Sequence, residues 1–331
     1  MKSFFPATYS TLSTDALARL LTEKYGLTGV QCQLLMRGVG DTYSVTCDQA
    51  RYILRAYRPS HRSLPQVQEE VDLLLALHQA GVSVSYPLKD TTGEAVQLLN
   101  AIEGERCAVL FTYAPGQSAI KLSESQLRVF GREMARFHNV SATLAPKGAR
   151  WNFDLNTLLF HPLETLKAGL AEDTENYRWL ADTAERIRQR LAQTDTTAFS
   201  KGYCHFDFLP KNFHFDGDTV TFFDFDFMGH GWLVIDIMTF WQHLAVDVYA
   251  GRATQQEMDD AYRVFLEGYR EYREISEEEL AVVPYLAPGF WLFYMSFHTT
   301  HDQFYVYTTA AYRKVYIGVV KHLVKTYWGV I

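Results

Sequence analysis

Cysteine is scarce in this chain and unpaired in pattern: Cys32, Cys47, Cys107 and Cys204 are scattered over 331 residues without a C-x-x-C. That spacing excludes a disulfide framework and a cysteine-based zinc site, and it fits a reducing cytoplasm. Basic residues are not in excess either. Lys and Arg total 31 against 38 Asp and Glu, a net charge of −7, which argues against nucleic acid or an anionic membrane as the main partner. The N-terminal residues Met1 to Pro6 hold no apolar run of signal-peptide length, and the most apolar late stretch, 281–297, is broken by Pro284, Pro288 and Gly289. A buried helix pair is expected there, not a membrane span. There are no repeats or low-complexity tracts. The chain also has no G-x-x-x-x-G-K-[ST] and no complete G-x-G-x-x-G, which removes a P-loop mechanism.

What is present is a core-forming composition, 48% hydrophobic and 15% aromatic, over a length that suits one two-lobed enzyme or two modest domains. Periodicity predicts a helix over 14–25, strands ending near 36 and over 43–47 and 51–57, then a helix over 66–79 stopped by Gly81. The residues 48–50 read as a hairpin turn, and further strands are expected over 96–99 and 107–113. Pro115-Gly116 punctuates the chain, and the pattern beyond it is mostly helical. Ser123 and Gln126 form a capping box opening a helix to about 138, with later helices expected over 175–193, 256–273, 277–297 and 302–327. This makes an α+β chain: a small, mainly antiparallel β lobe with one main helix over 1–113, and a larger helical lobe over 114–331.

The chemistry is concentrated in one stretch, His205-Phe206-Asp207-Phe208-Leu209-Pro210-Lys211-Asn212, followed twelve positions after Asn212 by Asp224 at the end of an apolar strand. H-x-D-x-x-x-x-N with a downstream carboxylate is what phosphoryl transfer requires. A carboxylate, Asp207, accepts a hydroxyl proton, while Asn212 and Asp224 hold magnesium on the nucleotide phosphates. The Asp216-Gly217-Asp218 turn predicts a hairpin that folds Asp224 back towards Asn212. A zinc reading would need more histidines at ligand spacing than His205 and His214 provide. In the first lobe Gly38 and Gly40 are candidates to let backbone amides approach phosphates, although paired glycines also occur in plain hairpins. Arg55, on the third strand, is the candidate phosphate cation and Glu70, beside the apolar face of its helix, its partner; Glu69 is read as turned away. Phe111 to Tyr113 is where an inter-lobe hinge would offer its backbone to adenine.

These residues resemble the aminoglycoside phosphotransferase / choline kinase-like superfamily, near its homoserine kinase and stress response kinase branches. The resemblance runs from about Leu34 to the C-terminus and is strongest from Asp224 to Asp236. It implies Asp207 as base, Asn212 and Asp224 as magnesium ligands, and Asp236, grouped with His205, as a brace on the catalytic loop. Two departures stand out: Phe206 replaces the usual Gly between His and Asp, and Trp232-Leu233 replaces a common Asp-Pro. Asp226 and Trp232 are therefore carried as candidate substrate residues, Asp226 facing either an ammonium group or a second magnesium, or serving only as a loop carboxylate. Trp291, Tyr294 and Phe297 recur at helical spacing and read as a core stripe before a cation cage. The expectation is a magnesium- and ATP-dependent kinase acting on a hydroxyl of an amino alcohol, amino acid or amino sugar, its three site residues converging in the cleft between two lobes. A Ser/Thr protein kinase and a non-catalytic pseudokinase binding module are the alternatives.

Overall fold

The computed structural model describes residues 5–48 and 50–329. Gln49, in the turn expected over 48–50, and Met1 to Phe4 lie outside the described residues. The chain forms two compact units: the first runs to Pro115 and takes in Thr221–Phe223, and the second holds the remainder.

The first unit is a five-stranded antiparallel sheet in the order β1-β2-β3-β5-β4, from β1 (Gln31–Arg37), β2 (Gly40–Thr46), β3 (Arg51–Tyr57), β4 (Val96–Ala101) and β5 (Gly104–Thr112). Alternation along β2 sends Tyr43 and Val45 inward, where they meet Leu54 and Ala56 of β3, Ala108 and Leu110 of β5, and Leu17 and Leu21 of α1 (Thr14–Tyr25). Ser13 caps α1 by accepting from the Ala16 N–H, and Gly26 closes it in the left-handed region at φ +67°. α2 (Leu64–Gln79) starts where the Gln66 side chain accepts the Ser63 N–H at 2.9 Å. A buried cation locks the sheet's end: Arg106, fully inaccessible, pairs with Asp41 at 2.9 Å and donates to the carbonyls of Tyr57, Ala56 and Ser10.

The second unit contains α3 (Glu124–Ser141), β6 (Trp151–Phe153), α4 (His161–Leu166), α5 (Thr174–Ala192), β7 (Lys201–Cys204), the hairpin strands β8 (Phe213–Asp216) and β9 (Thr219–Phe222), β10 (Gly229–Trp232), α6 (Val234–Tyr249), α7 (Gln255–Arg270), α8 (Glu277–Ala281), α9 (Val283–Thr300) and α10 (Ala310–Tyr327). β10 lies between β6, which it pairs in parallel, and β7, which it pairs antiparallel. Phe130 of α3 packs within 4.7 Å of Phe213 and 5.0 Å of Phe240. The mixed α+β architecture expected from the pattern is present, with antiparallel strands first and helices after. Two details differ. The expected 277–297 helix is split at Val282, since Pro284 suits a fresh first turn. The expected 302–327 helix begins with a 3-10 stretch, Asp302–Thr308, and becomes α-helical at Ala310.

α3 and α7 touch backbone to backbone. A Cβ on Gly268 would lie 2.1 Å from the Arg128 carbonyl oxygen, and one on Gly131 would lie 2.1 Å from that of Phe265. Neither carbonyl can yield without moving its helix, so Gly268→Ala is expected to cost about 1–3 kcal/mol by overpacking. Urea unfolding checks this, and an unchanged midpoint would contradict the close approach. Among the described residues no helix is long and apolar enough to cross a membrane.

Candidate active site

β7 delivers a buried loop whose shape is set from behind. Asp236, in the first turn of α6 and fully buried, accepts the backbone N–H of His205 at 2.9 Å and that of Phe206 at 2.7 Å. Its Oδ2 also faces Nε2 of His138 at 3.1 Å, and Nδ1 of that ring is 2.7 Å from the Tyr269 hydroxyl. Burial pushes the His138 pKa down despite the carboxylate beside it. A neutral ring then donates from Nε2 to the carboxylate, which can only accept, and takes the tyrosine proton at Nδ1. The His205 ring stacks on Phe208 at 4.4 Å and accepts the Asp207 N–H through Nδ1 at 3.2 Å.

Phe206 occupies the left-handed region at φ +67°, which explains why glycine would be the ordinary residue there. Its compensation is packing: the ring is fully buried and stacks on Phe153 at 4.4 Å. Losing the ring should outweigh relief of the backbone, so Phe206→Gly is expected to destabilise by about 2 kcal/mol. A denaturant midpoint that stays level or rises would overturn this.

The turn that follows brings Asp207 and Asn212 together. Nδ2 of Asn212 donates to Oδ2 of Asp207 at 2.7 Å and to its main-chain oxygen at 2.8 Å. Lys211 Nζ lies 2.7 Å from the same Oδ2. Burial works against the Lys211 ammonium, but Asp207 and then Asp224 outweigh it and raise its pKa. Oδ1 of Asp207 is different: it is buried and has no hydrogen-bond partner. An orphaned buried oxygen is an exception that calls for a ligand or a catalytic role.

Asp224 follows β9 in the left-handed region, at φ 61° and ψ 63°. Its neighbour Asp226, 1% exposed, lies 3.8 Å from Nη1 of Arg150, which also donates to the Asp226 main-chain oxygen at 2.7 Å. The ring of one phenol, Tyr294, lies 6.2 Å from that of Phe206 and 5.0 Å from that of Phe227, in the same stretch of chain as these carboxylates. The pKa of Tyr294, in α9, is pushed far up by burial and then by Asp207, Asp224 and Asp226. Its hydroxyl is buried near Asp207 and has no hydrogen-bond partner of ordinary geometry. Trp232 is not part of this group. Its contacts are the pairing of β10 with β7, a bond from Cys204 Sγ to its carbonyl, and an edge-on ring contact with Phe199 at 5.5 Å.

The donor set suits a hard divalent cation. Nδ2 of Asn212 is fully engaged and no hydrogen bond takes its Oδ1, so that oxygen could serve as a ligand, and a carboxylate such as Asp224 is of the right chemical type to serve beside it. Among the described residues no three His, Cys, Asp or Glu side chains gather as a metal cluster. Magnesium needs none, since it commonly takes one or two protein oxygens along with phosphates and waters.

In the first unit, Gly38 donates its N–H to the Gly40 carbonyl at 2.9 Å, a tight turn before β2. A Cβ on Gly40 would sit 3.1 Å from the Ala56 oxygen. The Arg55 guanidinium lies 5.3 Å from the centre of the Tyr57 ring, whose hydroxyl donates to Glu70 at 3.1 Å. Glu69, read as turned away, is 2% exposed and Glu70 1%, because α2 is covered over a wide face. Phe111 is buried in β5. The N–H of Thr112 is taken by Tyr86, and its carbonyl by Ser85. The ring of Tyr113 lies under Arg51 at 4.3 Å.

Arg150, Lys211, His138 and Tyr294 complete the group and were not singled out as site residues by pattern. Only Lys211 had a local signal, its place inside the H-x-D-x-x-x-x-N stretch.

Comparison with known proteins identifies the family. The family model described as "Phosphotransferase enzyme family" matches residues 33–275. An uncharacterised protein of Deinococcus radiodurans is 34% identical over 88% of this chain and 83% of its own length. A homoserine kinase of Phenylobacterium zucineum is 27% identical, covering 86% and 84%. Among solved structures, an amicoumacin kinase in complex with AMP-PNP, Ca2+ and Ami superposes with a TM-score of 0.76 at 20% identity, covering 95% of this chain and 94% of that one. The chain therefore belongs to the phosphotransferase enzyme family and is a small-molecule kinase of that family's kinase-like fold.

Proposed function

We propose that the protein transfers the γ-phosphoryl group of magnesium-bound ATP to a hydroxyl of a small molecule of the amino alcohol, amino acid or amino sugar type. The observation that carries this reading is the state of Asp207. One carboxylate oxygen is fixed by Asn212 and Lys211, and the other is buried with nothing bound to it. That second oxygen is the proton acceptor. As the acceptor oxygen attacks the γ-phosphorus, its proton passes to Oδ1, and the bond to the β–γ bridging oxygen breaks with its electron pair leaving on ADP. Little base strength is needed, because positioning and charge carry most of this reaction. Magnesium held by Asn212 Oδ1 and Asp224 would supply positive charge against the phosphate oxygens.

The nucleotide residues follow the same logic. The turn bracketed by Gly38 and Gly40 has no side chain at either end to keep phosphates from its main chain, although the Gly38 N–H itself is spent on Gly40; Arg55 braced near Glu70 supplies a cation, and Phe111 with Tyr113 borders the adenine. Tyr113 is favoured for the main-chain hydrogen bonds, since those of Thr112 are spent. Asp236 and His205 hold the loop. Asp226, tied to Arg150, is assigned to shaping the metal side of the site. The relatives named for homoserine and amicoumacin support a small hydroxyl-bearing acceptor. Purified protein incubated with magnesium-ATP and a mixture of hydroxyl compounds should form ADP and a phosphate monoester visible by 31P NMR. Absence of both magnesium-dependent ATP binding and ADP formation would defeat the reading.

A further inference from the structure

α9 is buried along nearly its whole length, and from Leu286 to His298 only Trp291, Tyr294 and His298 are incompletely covered. Their spacing, i, i+3 and i+7, puts all three on one face. Each carries a buried polar atom without a hydrogen-bond partner: Nε1 of Trp291, the hydroxyl of Tyr294 and Nδ1 of His298. A core stripe would not choose three polar rings and then leave each unsatisfied, because an orphaned buried donor costs about 1–3 kcal/mol. Phe297, on the covered side of the same helix, is the contrast: it is 7% exposed and wholly apolar.

One end of this face is at the chemistry, for the Tyr294 ring lies 6.2 Å from that of Phe206 and 5.0 Å from that of Phe227, the chain neighbours of Asp207 and Asp226. The other end is near Lys211. Burial and then that ammonium bring the His298 pKa down to about 4, so the imidazole is neutral at physiological pH. Aromatic rings flank the line: Tyr307 stacks on His298 at 4.9 Å, and Tyr316 lies 5.5 Å from Trp291.

We propose that Trp291, Tyr294 and His298 form the wall on which the acceptor binds, and that this wall takes an uncharged, oxygen-bearing ring of a compound about 10 Å long, not a short-chain amino alcohol. The length is seven residues of helix at a rise of about 1.5 Å each. This rests on the kinase reading and narrows it. Trp N–H and Tyr O–H are donors and want acceptor oxygens. The neutral imidazole can serve either way. The three carboxylates of the site already have other tasks: Asp207 is paired with Lys211 through Oδ2 and keeps Oδ1 for the hydroxyl proton, Asp226 lies against Arg150, and Asp224 is assigned to the metal. Any amino group of the acceptor therefore lies off this wall. The flat rings suit the faces of a sugar or an aromatic ring. The hydroxyl to be phosphorylated sits between Tyr294 and Asp207, accepting from the phenol and donating to Oδ1.

Ligand-observed NMR in the presence of magnesium and AMP-PNP tests this. Salicin and uridine represent neutral ring compounds, and homoserine and ethanolamine the short amino alcohols. The ring compounds should bind at least tenfold more tightly than the amino alcohols. Tyr294→Phe and Trp291→Phe, which keep a ring and delete only a polar atom, should each weaken ring binding about tenfold, the scale of one lost hydrogen bond. Preference for the amino alcohols, no ring binding below about 10 mM (a free energy weaker than about −2.7 kcal/mol), or unchanged affinity in both variants would overturn the inference. Failure of the wild-type protein to bind magnesium and AMP-PNP would instead overturn the kinase reading beneath it.

Discussion

Asp207→Asn should lower kcat at least about a hundredfold, and up to about ten-thousandfold, on whichever hydroxyl compound the wild type phosphorylates, the range expected for loss of a general base. The substitution is nearly isosteric. An amide oxygen in place of Oδ2 can still accept from Asn212 and Lys211, which approach at 2.7 Å each. The amide nitrogen then stands where Oδ1 was, so a donor replaces the one unpartnered acceptor. Proton acceptance is lost while the loop and the proposed metal oxygens stay in place. Magnesium-ATP binding by calorimetry should therefore remain within a few-fold of wild type. Turnover within tenfold of wild type would show that Oδ1 does not take the proton.

Asp236→Ala should be the most damaging single change to stability, costing about 3–5 kcal/mol, because it leaves buried partners without their charge. Three donors converge on this inaccessible carboxylate: the N–H groups of His205 and Phe206, and the His138 ring. The loop that carries Asp207 would lose its anchor at the residue already held at positive φ, so kcat should fall as well. Asp236→Asn keeps one acceptor oxygen and should be milder on both counts. Urea unfolding alongside steady-state rates separates the outcomes. An Ala variant within about 1 kcal/mol of wild type would mean the loop is shaped by something else, since a buried charge network loses several times that.

Local chemistry is what made part of this protein legible from its amino acids. His205, Asp207 and Asn212 sit within eight residues, and the Asp-Gly turn at 216–217 announces the hairpin before Asp224. Period-two alternation and capping boxes likewise mark β2, α3 and α7, and the order of strands first and helices after follows from such local signals. Long-range partners carry no such mark. Arg150 reaches Asp226 across 76 residues and His138 reaches Asp236 across 98; each is an ordinary polar residue until the chain closes. β10 carries little strand signal because Gly229 and Gly231 have no side chains to alternate, yet they let the strand press against Trp151 and Phe153, where a Cβ would come within 2.7 Å at Gly229 and 2.9 Å at Gly231. Trp291 and Tyr294 show the opposite failure. Their helical spacing reads as core, and only their unsatisfied polar atoms separate them from Phe297.

The convergence of Asp207, Asn212 and Asp224 underlies all of these expectations, and a crystal structure with magnesium and AMP-PNP tests it most directly. Oδ1 of Asn212 and a carboxylate oxygen of Asp224 should ligate one ion at about 2.0–2.1 Å, with the γ-phosphate opposite the open oxygen of Asp207. An ion bound without either residue, or a γ-phosphate turned away from Asp207, would contradict the account.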